Sequence, residues 1–399
     1  MTSAAPLAPK TRFLMAHYMP WYEADPARGA WGWHWTMNHF RPERKAPNGR
    51  REAASHYYPL LGLYDSNDPD VLECHVLLMK LSGIDGVVVD WYGIDDFLDY
   101  GLIHRNTRHL VAFVKKAGLR FAVMYEEAQT VPKLLAAKRL PGDDVVAHGQ
   151  RVLRWVRDHW FADPAYLKHD GRPVFFTFGT GYYSGEQWKE IFAGLAPGAP
   201  PLYLTEWDRR APADGAFYWP NPDQGTDTAL RRAREFHETK ARTWPAFAGG
   251  AFPRFHDVYA EAKVHKSWGR VEDRGGKVYE ETLTGALTSG APVVQIATWN
   301  DWGEGTMIEP SAEFGFRDLE ATQRLRRRHV ESRFAFTPED LRLPVALYRL
   351  RKQHKGTAAH AAPLGEVSRL LFAGQTREAR ALLRRRYPDA LGQTSPVPL

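Results

Sequence analysis

One cysteine, Cys74, stands in 399 residues, which excludes an intramolecular disulfide framework. It lies in the amphipathic helical pattern Val71 to Met79, as a small core residue. No run approaches the roughly 20 apolar residues of a membrane span, so no membrane partner is expected. The N-terminal stretch lacks a signal-like core, because His17, Tyr18, Pro20 and Trp21 interrupt the apolar residues that follow Lys10 and Arg12. A cytoplasmic protein is the expectation. Also missing are a Gly-x-Gly-x-x-Gly after the first strand, a Gly-x-x-x-x-Gly-Lys-Ser/Thr and a Gly-x-Ser-x-Gly. Dinucleotide binding, phosphate cradling and a serine nucleophile therefore lack their marks. No strand-end cluster combines Cys with His, and His17, His34 and His56 lack close metal-ligand spacing, so neither metal nor organic cofactor is expected.

Acidic residues are outnumbered, at 47 against 53 Lys and Arg, for a net charge of +6. The excess gathers toward the C-terminus, in Arg324 to Arg328, Arg349 to Lys355 and Arg377 to Arg386, as solvated helix faces do. No nucleic-acid module accompanies these runs, so no nucleic-acid partner is expected. What the chain has in abundance is aromatic: 14 Trp and 17 Tyr, mixed with Asp, Glu and His rather than with Leu. Such rings offer stacking surfaces with a polar handle, suited to the C–H faces of sugars.

Eight apolar, β-rich runs recur along the chain: Arg12 to Tyr18, Ile84 to Trp91, Leu119 to Tyr125, Pro173 to Phe178, Leu202 to Thr205, Ala216 to Trp219, Trp244 to Phe252 and Val293 to Trp299. Helical patterns separate most of them, over Asp68 to Leu81, Thr107 to Ala117, Gly149 to Trp160, Gly185 to Leu195, Thr228 to Thr239 and Tyr279 to Thr288. This alternation predicts an α/β fold, a (β/α)₈ TIM barrel over residues 12–335. Residues 1–11 read as a flexible N-terminus. Residues 336–399 read as a small C-terminal helical appendage, with an Ala/His-rich linker at Lys355 to Pro363 and two short helices in Leu364 to Arg386. After the first strand, Glu23 to Asp65 shows no regular period but carries Trp33-His34-Trp35 and His56-Tyr57. A long loop rich in aromatics should pack over the barrel mouth.

A barrel of this kind works at the C-terminal ends of its strands. Acids and rings gather there: Tyr18, Trp21 and Tyr22 after the first; Asp90, Trp91 and Tyr92 after the second; Tyr125, Glu126 and Glu127 after the third. Glu206 and Trp207 follow the fifth strand, Trp219 the sixth and Arg254 the seventh. The eighth runs into Thr298-Trp299-Asn300-Asp301-Trp302-Gly303-Glu304-Gly305-Thr306-Met307-Ile308-Glu309-Pro310. Asp301 and Glu304 are three apart, so one helical turn would place them on one side with Cβ atoms roughly 5–6 Å apart. Paired carboxyls suit glycosyl transfer, in which one stabilises a cationic transition state and the other protonates the leaving oxygen.

The segment Trp299 to Pro310 resembles the Asn-Glu-Trp-x-Glu-Gly-Thr-x-Ile-Glu-Pro signature of glycoside hydrolase family 99, whose members include endo-α-mannosidases; family 71 is similar. His17-Tyr18-Met19-Pro20-Trp21-Tyr22, Trp33-His34-Trp35 and Asp90-Trp91-Tyr92-Gly93 also look like that group. The resemblance covers roughly residues 12–335 and implies a (β/α)₈ barrel that hydrolyses an α-linked glycan, mannose- or glucose-configured, without a cofactor. It implies that Glu304 is the general acid/base and Asp301 the partner that deprotonates a substrate hydroxyl. At Asp301 the chain departs from the signature by one methylene. The aromatic and acidic strand-end residues named above, with His56, Asn300, Trp302 and Glu309, then become the substrate-binding set. Two other readings stay open, a carbohydrate-binding barrel that has lost turnover and a glycosyl-transfer protein of polysaccharide assembly.

Overall fold

The computed structural model describes residues 12–140, 142, 144–196, 198 and 200–392. The expected flexible N-terminus, 1–11, and the last residues of the appendage, 393–399, lie outside the described residues.

Eight parallel strands close into a barrel: β1 Phe13–Tyr18, β2 Gly86–Trp91, β3 Arg120–Tyr125, β4 Arg172–Thr177, β5 Leu202–Glu206, β6 Gly215–Phe217, β7 Ala246–Ala251 and β8 Val293–Ile296. They run in spatial order β3-β2-β1-β8-β7-β6-β5-β4, and β3 pairs with β4 to close the ring. The register sets Met15 of β1 beside Gln295, near the end of β8, and beside Gly86, the first residue of β2, so neighbouring strands are staggered around the ring. These runs are almost wholly buried and rich in Val, Phe and Ala, as parallel strands covered on both faces must be.

Helices wrap the ring: α1 Pro69–Ser82, α2 Tyr100–Lys116, α3 Glu127–Ala136, α4 Val145–Val156, α5 Gly185–Ala193, α6 Gly225–Glu238, α7 Lys277–Thr288 and α8 Arg317–His329. Among the described residues, β5 reaches β6 without a helix. α1 shows why such segments are legible. Asp68 caps it by accepting the Asp70 N–H at 2.9 Å, Pro69 opens it, and Gly83 closes it at φ +88°. A Cβ at Gly83 would also meet the Arg326 side chain at 2.3 Å. Among the described residues no helix is long and apolar enough to cross a membrane.

Three local expectations are corrected. The strand predicted to reach Trp299 ends at Ile296, and residues 302–305 form a turn rather than a helix. The helix expected from Thr107 starts at Tyr100. The expected linker at Lys355 to Pro363 is helical from Ala358, within α10 Ala358–Phe372. There the stripe Leu364, Val367, Leu370 and Leu371 packs with Leu343 and Leu347 of α9, Arg342–Gln353, and with Leu77 of α1. That apolar burial outweighs the break Pro363 makes. α11, Thr376–Arg386, completes this layer through Ala379 and Leu383.

Candidate active site

The loop after β8 is built by its own polar side chains. Thr298 Oγ1 accepts the Asp301 N–H at 2.8 Å, and Asp301 Oδ1 accepts the Glu304 N–H at 2.9 Å. The Thr298 bond is of the kind that caps a helix start, but Asp301 takes the Glu304 N–H that a helix would pair with the Asn300 carbonyl, so the expected helical turn does not form. Asn300 clamps the Met19 backbone, accepting its N–H at 2.8 Å and donating to its carbonyl at 2.9 Å. The Tyr22 hydroxyl accepts the Trp302 N–H at 3.0 Å and donates to the Asn300 carbonyl at 2.9 Å. Below lies a buried network: Glu309 Oε2 accepts from the Tyr64 hydroxyl at 2.7 Å and from Trp302 Nε1 at 3.2 Å, and Glu309 Oε1 meets His75 Nε2 at 3.1 Å. His75 Nδ1 in turn meets the Tyr18 hydroxyl at 2.9 Å.

The loop after β7 forms the facing wall. His256 and Val258 donate their N–H groups to the carbonyls of Glu304 and Gly303, at 2.8 and 3.0 Å. The Tyr259 hydroxyl donates to Glu304 Oε1 at 3.3 Å. From the first long loop, His56 stacks on His256 with centroids 3.7 Å apart. A cavity of about 460 Å³ is lined by Arg44, Arg50, His56, Tyr57 and Glu313 among others, and by neither of the two carboxyls.

Burial and mutual repulsion set the protonation. Burial lifts Asp301 to about 6 against the pull of the Glu304 and Gly303 N–H groups, and the charge of Asp257 adds to the rise. Glu304 rises well above the usual carboxylate range through burial first, then through the charges of Asp301 and Asp257. One member of the pair is thus an anion near neutrality while the other keeps its proton, the division of labour acid/base catalysis needs.

The structure divides the sequence-predicted residues into three groups. Asp90, Glu126, Glu206 and Trp219 converge with Asp301 and Glu304 on the barrel mouth. Burial lifts Asp90 to about 8, and burial together with the neighbouring charge of Asp90 raises Glu126 well above its usual range. Glu127 Oε2 accepts the Tyr182 N–H at 2.6 Å, and burial raises that carboxyl to about 7. Trp207 takes φ +55°, costly for a bulky residue, with its Nε1–H donating to the Trp219 carbonyl at 2.9 Å.

A second group makes the rim. Trp21 stacks on His34 at 4.1 Å, Tyr92 stacks on Tyr100 at 5.1 Å, and Trp33 is 40% exposed. Tyr57 reaches His256 from the first loop, its hydroxyl 3.5 Å from Nδ1.

The third group is turned into the scaffold, and here the expectation of sugar contact is corrected for the side chains concerned. Tyr18, Trp302, Asn300 and Glu309 belong to the buried network under the loop. Trp35 donates to the Tyr64 carbonyl at 2.8 Å, and Trp91 packs on Trp160 and donates to His104 at 3.2 Å. Tyr125 lies against Trp91 with centroids 5.6 Å apart. Arg254 is 1% exposed, paired with Asp318 of α8 and donating to the Met307 carbonyl at 2.7 Å. Strand alternation explains most of these: Tyr18, Trp91 and Tyr125 sit one residue from the inward-facing His17, Asp90 and Glu126, so they point outward to the helices.

Three residues of this site lie outside the set the sequence singles out: His17, Asp257 and Tyr259. Burial lowers His17 to about 3, so its imidazole is neutral, and it packs edge-on against Trp219 at 4.8 Å. Asp257 accepts from Ser267 Oγ at 2.9 Å and from the Trp268 N–H at 2.8 Å. The signal for the last two was the long aromatic stretch after β7, with Tyr259 and Trp268, of the same kind as the loop after β1.

Residues 9–210, half of the chain, match the profile of Glycosyl hydrolase family 99. The chain belongs to that family. As a family 99 member it is a glycoside hydrolase. Its relatives include the human glycoprotein endo-alpha-1,2-mannosidase-like protein, 25% identical over 334 residues that cover 74% of this chain and 68% of the relative. The mouse glycoprotein endo-alpha-1,2-mannosidase is 24% identical over 339 residues, 76% of this chain and 69% of that one. The Xanthomonas campestris protein WxcX is 23% identical over 351 residues, 78% of this chain and 49% of its own length. Among solved structures, the family 99 endo-alpha-mannosidase of Bacteroides thetaiotaomicron in complex with bis-tris-propane shares the fold, with a TM-score of 0.60 at 20% identity, over 81% of this chain and 98% of that one.

One consequence of burial is testable on stability. Glu206 accepts the Gly179 N–H at 3.0 Å, and burial raises it from its ordinary 4.5 to about 7. A carboxyl whose folded pKa is raised holds its proton more tightly when folded, so it costs stability as pH climbs through that window. Glu206→Gln should therefore melt above the wild type near pH 8 and level with it near pH 4. The reverse order at high pH would mean that the Gly179 bond to a charged oxygen outweighs burial.

Proposed function

We propose that the protein hydrolyses an α-linked, mannose-containing glycan, with Glu304 as general acid/base and Asp301 as the ionised partner, base or nucleophile. The observation that carries this reading is the carboxyl pair at the end of β8, buried at Asp301 and half-buried at Glu304, in which Asp301 helps keep the proton on Glu304 and Tyr259 orients the acid. The mannosidase relatives support the sugar. The aromatic rim of Trp21, Trp33, His34, Tyr57 and Tyr92 would bind the sugar faces, and Glu126, Glu127, Glu206, Trp207 and Trp219 would line the mouth. Buried Cys74 fits action in the cytoplasm, which makes an intracellular oligosaccharide the substrate to screen first.

The test is release of sugar from a panel of α-mannosyl and α-glucosyl oligosaccharides, followed by mass spectrometry. Proton NMR of the first-formed anomer then separates base from nucleophile at Asp301. The pH profile follows from the site. Activity (kcat/KM) should rise through about pH 6 as Asp301 ionises, and fall at higher pH as Glu304 gives up its proton. Asp301→Asn should abolish the acidic limb. A profile whose acidic limb survives that change would remove Asp301 from the mechanism.

One observation favours a second reading. Asp301 spends an oxygen on the Glu304 N–H, as a purely structural acid would. A sugar-binding barrel without turnover predicts binding on a glycan array together with an empty hydrolase screen.

A further inference from the structure

The cavity of about 460 Å³ has no part in the chemistry of Asp301 and Glu304, neither of which lines it. Among the described residues, four cations, Arg44, Lys45, Arg50 and Arg51, line it against two carboxylates, Glu52 and Glu313. A hairpin in the first long loop holds the cations together. The Ala46 N–H donates to the Arg50 carbonyl at 2.8 Å and the Glu52 N–H to the Arg44 carbonyl at 3.0 Å, with Lys45 opposite Arg51. Like charges set opposite each other across two strands repel, an arrangement that stability alone does not favour. The acids offset only part of this charge. Arg50 Nη1 donates to Glu313 Oε1 at 2.7 Å, but Arg44 Nη1 stands 3.7 Å from Glu52 Oε2, beyond hydrogen-bond range. The inner wall joins the cavity to the reaction. His56 lines it and stacks on His256, whose N–H donates to the Glu304 carbonyl at 2.8 Å. Tyr57 also lines it, and packs so near Gly305 that a Cβ there would meet the tyrosine ring at 3.0 Å. The wall of the cavity therefore abuts the loop on both sides of Glu304. A general acid stands beside the oxygen of the departing sugar, so this is the leaving side of the scissile bond.

We propose that this cavity is a subsite for an acidic group, carboxylate or phosphate, carried on the leaving side of the glycan, which makes the natural substrate a charged oligosaccharide. This rests on the hydrolase reading above. Arginine forks and a lysine ammonium match the oxygens of carboxylate and phosphate, and such charge-assisted bonds are roughly twice as strong as neutral ones. The volume lies within the roughly 300–1,000 Å³ of small-ligand sites, enough for one sugar with its substituent. The Arg44 side chain is 65% exposed, so the attraction is open to screening by salt.

The test is calorimetry with two matched pairs of probes, on Glu304→Gln so that the ligand is not consumed. One pair is an α-mannosyl-glucuronic acid disaccharide and its carboxyl-reduced form. The other is an α-mannosyl-mannose disaccharide with and without a phosphate on the departing sugar. At about 50 mM salt the acidic member of at least one pair should bind about tenfold more tightly, and at about 500 mM the gap should shrink below about threefold. Which pair shows the gap tells carboxylate from phosphate. Adding Arg44→Gln/Lys45→Gln should bring the ratio close to one while the neutral members bind as before, which also shows that the variant folds. Arg44→Gln alone, at an exposed position, should narrow the gap by about threefold. Equal affinity within both pairs, or a preference that survives the double change, overturns the subsite. If the preference holds but the wild type releases no mannose from any probe, the hydrolase reading fails and the subsite stands. If the wild type cleaves both members of each pair with one kcat/KM, before and after the double change, the subsite fails and the hydrolase reading stands.

Discussion

Glu304→Gln is expected to lower turnover by about 10²- to 10⁴-fold, the range for losing a general acid/base. The change is close to isosteric. Its neighbours can stay in place: Tyr259 can donate to the amide oxygen as it does to Glu304 Oε1, and Asp301 keeps the Glu304 backbone N–H. What the amide lacks is a proton to give to the leaving oxygen. The loss should therefore shrink for substrates whose leaving group needs no proton, such as a nitrophenolate, wherever bond cleavage limits the rate. Measuring kcat for a natural-type glycan and an activated aryl glycoside, wild type against variant, reads this directly. A similar penalty on both would show that Glu304 shapes the loop and does not deliver a proton.

Arg254→Met should be among the most destabilising single changes in the barrel. The guanidinium is fully buried, pairs with Asp318 of α8, donates to the Met307 carbonyl at 2.7 Å and lies over the Phe314 ring at 3.9 Å. Removing it leaves the buried Asp318 carboxylate with the partly exposed Arg317 alone, whose Nε is 3.0 Å away, and breaking a buried pair costs up to roughly 3–5 kcal/mol. Denaturant unfolding should show the fall in midpoint, and the double variant Arg254→Met/Asp318→Asn should recover part of it, because the buried charge that has lost its buried partner is then removed. Arg254 also braces the β8 loop through Met307, so activity should fall with stability. A midpoint for Arg254→Met equal to that of the wild type would contradict the role given to the pair.

Much of this site was legible in the chain. The run Val293 to Ile296 followed by Asn300, Asp301, Trp302 and Glu304 marked a strand end loaded with acids, and that mark is local. The same holds for Asp90 after β2 and Glu126 after β3. The inventory could not separate neighbours along one strand end. His17 and Tyr18, Asp90 and Trp91, and Tyr125 and Glu126 are adjacent in sequence, but alternation sends one of each pair into the barrel and the other toward the helices. Tyr18 thus joins His75 and Glu309, while His17 faces Asp90. Arg254 was misread for a related reason. A cation at a strand end can face substrate or a helix, and the choice depends on Asp318, 64 residues later.

The turn at Asp301 shows the other limit. A spacing of three suggests one helical face, yet Asp301 takes the Glu304 N–H that a helix would need, so the pair is displayed from a loop.

The sequence by itself determined the alternating barrel, the family signature at its eighth strand and the chemistry of paired carboxyls, because hydrophobic period and residue type are written in short stretches. Only the tertiary structure decided which carboxyls share a space and which of them keeps a proton. His17, Asp90, Glu126 and Asp301 come from four strands that meet only when the barrel closes, and desolvation acts on them only once it has closed.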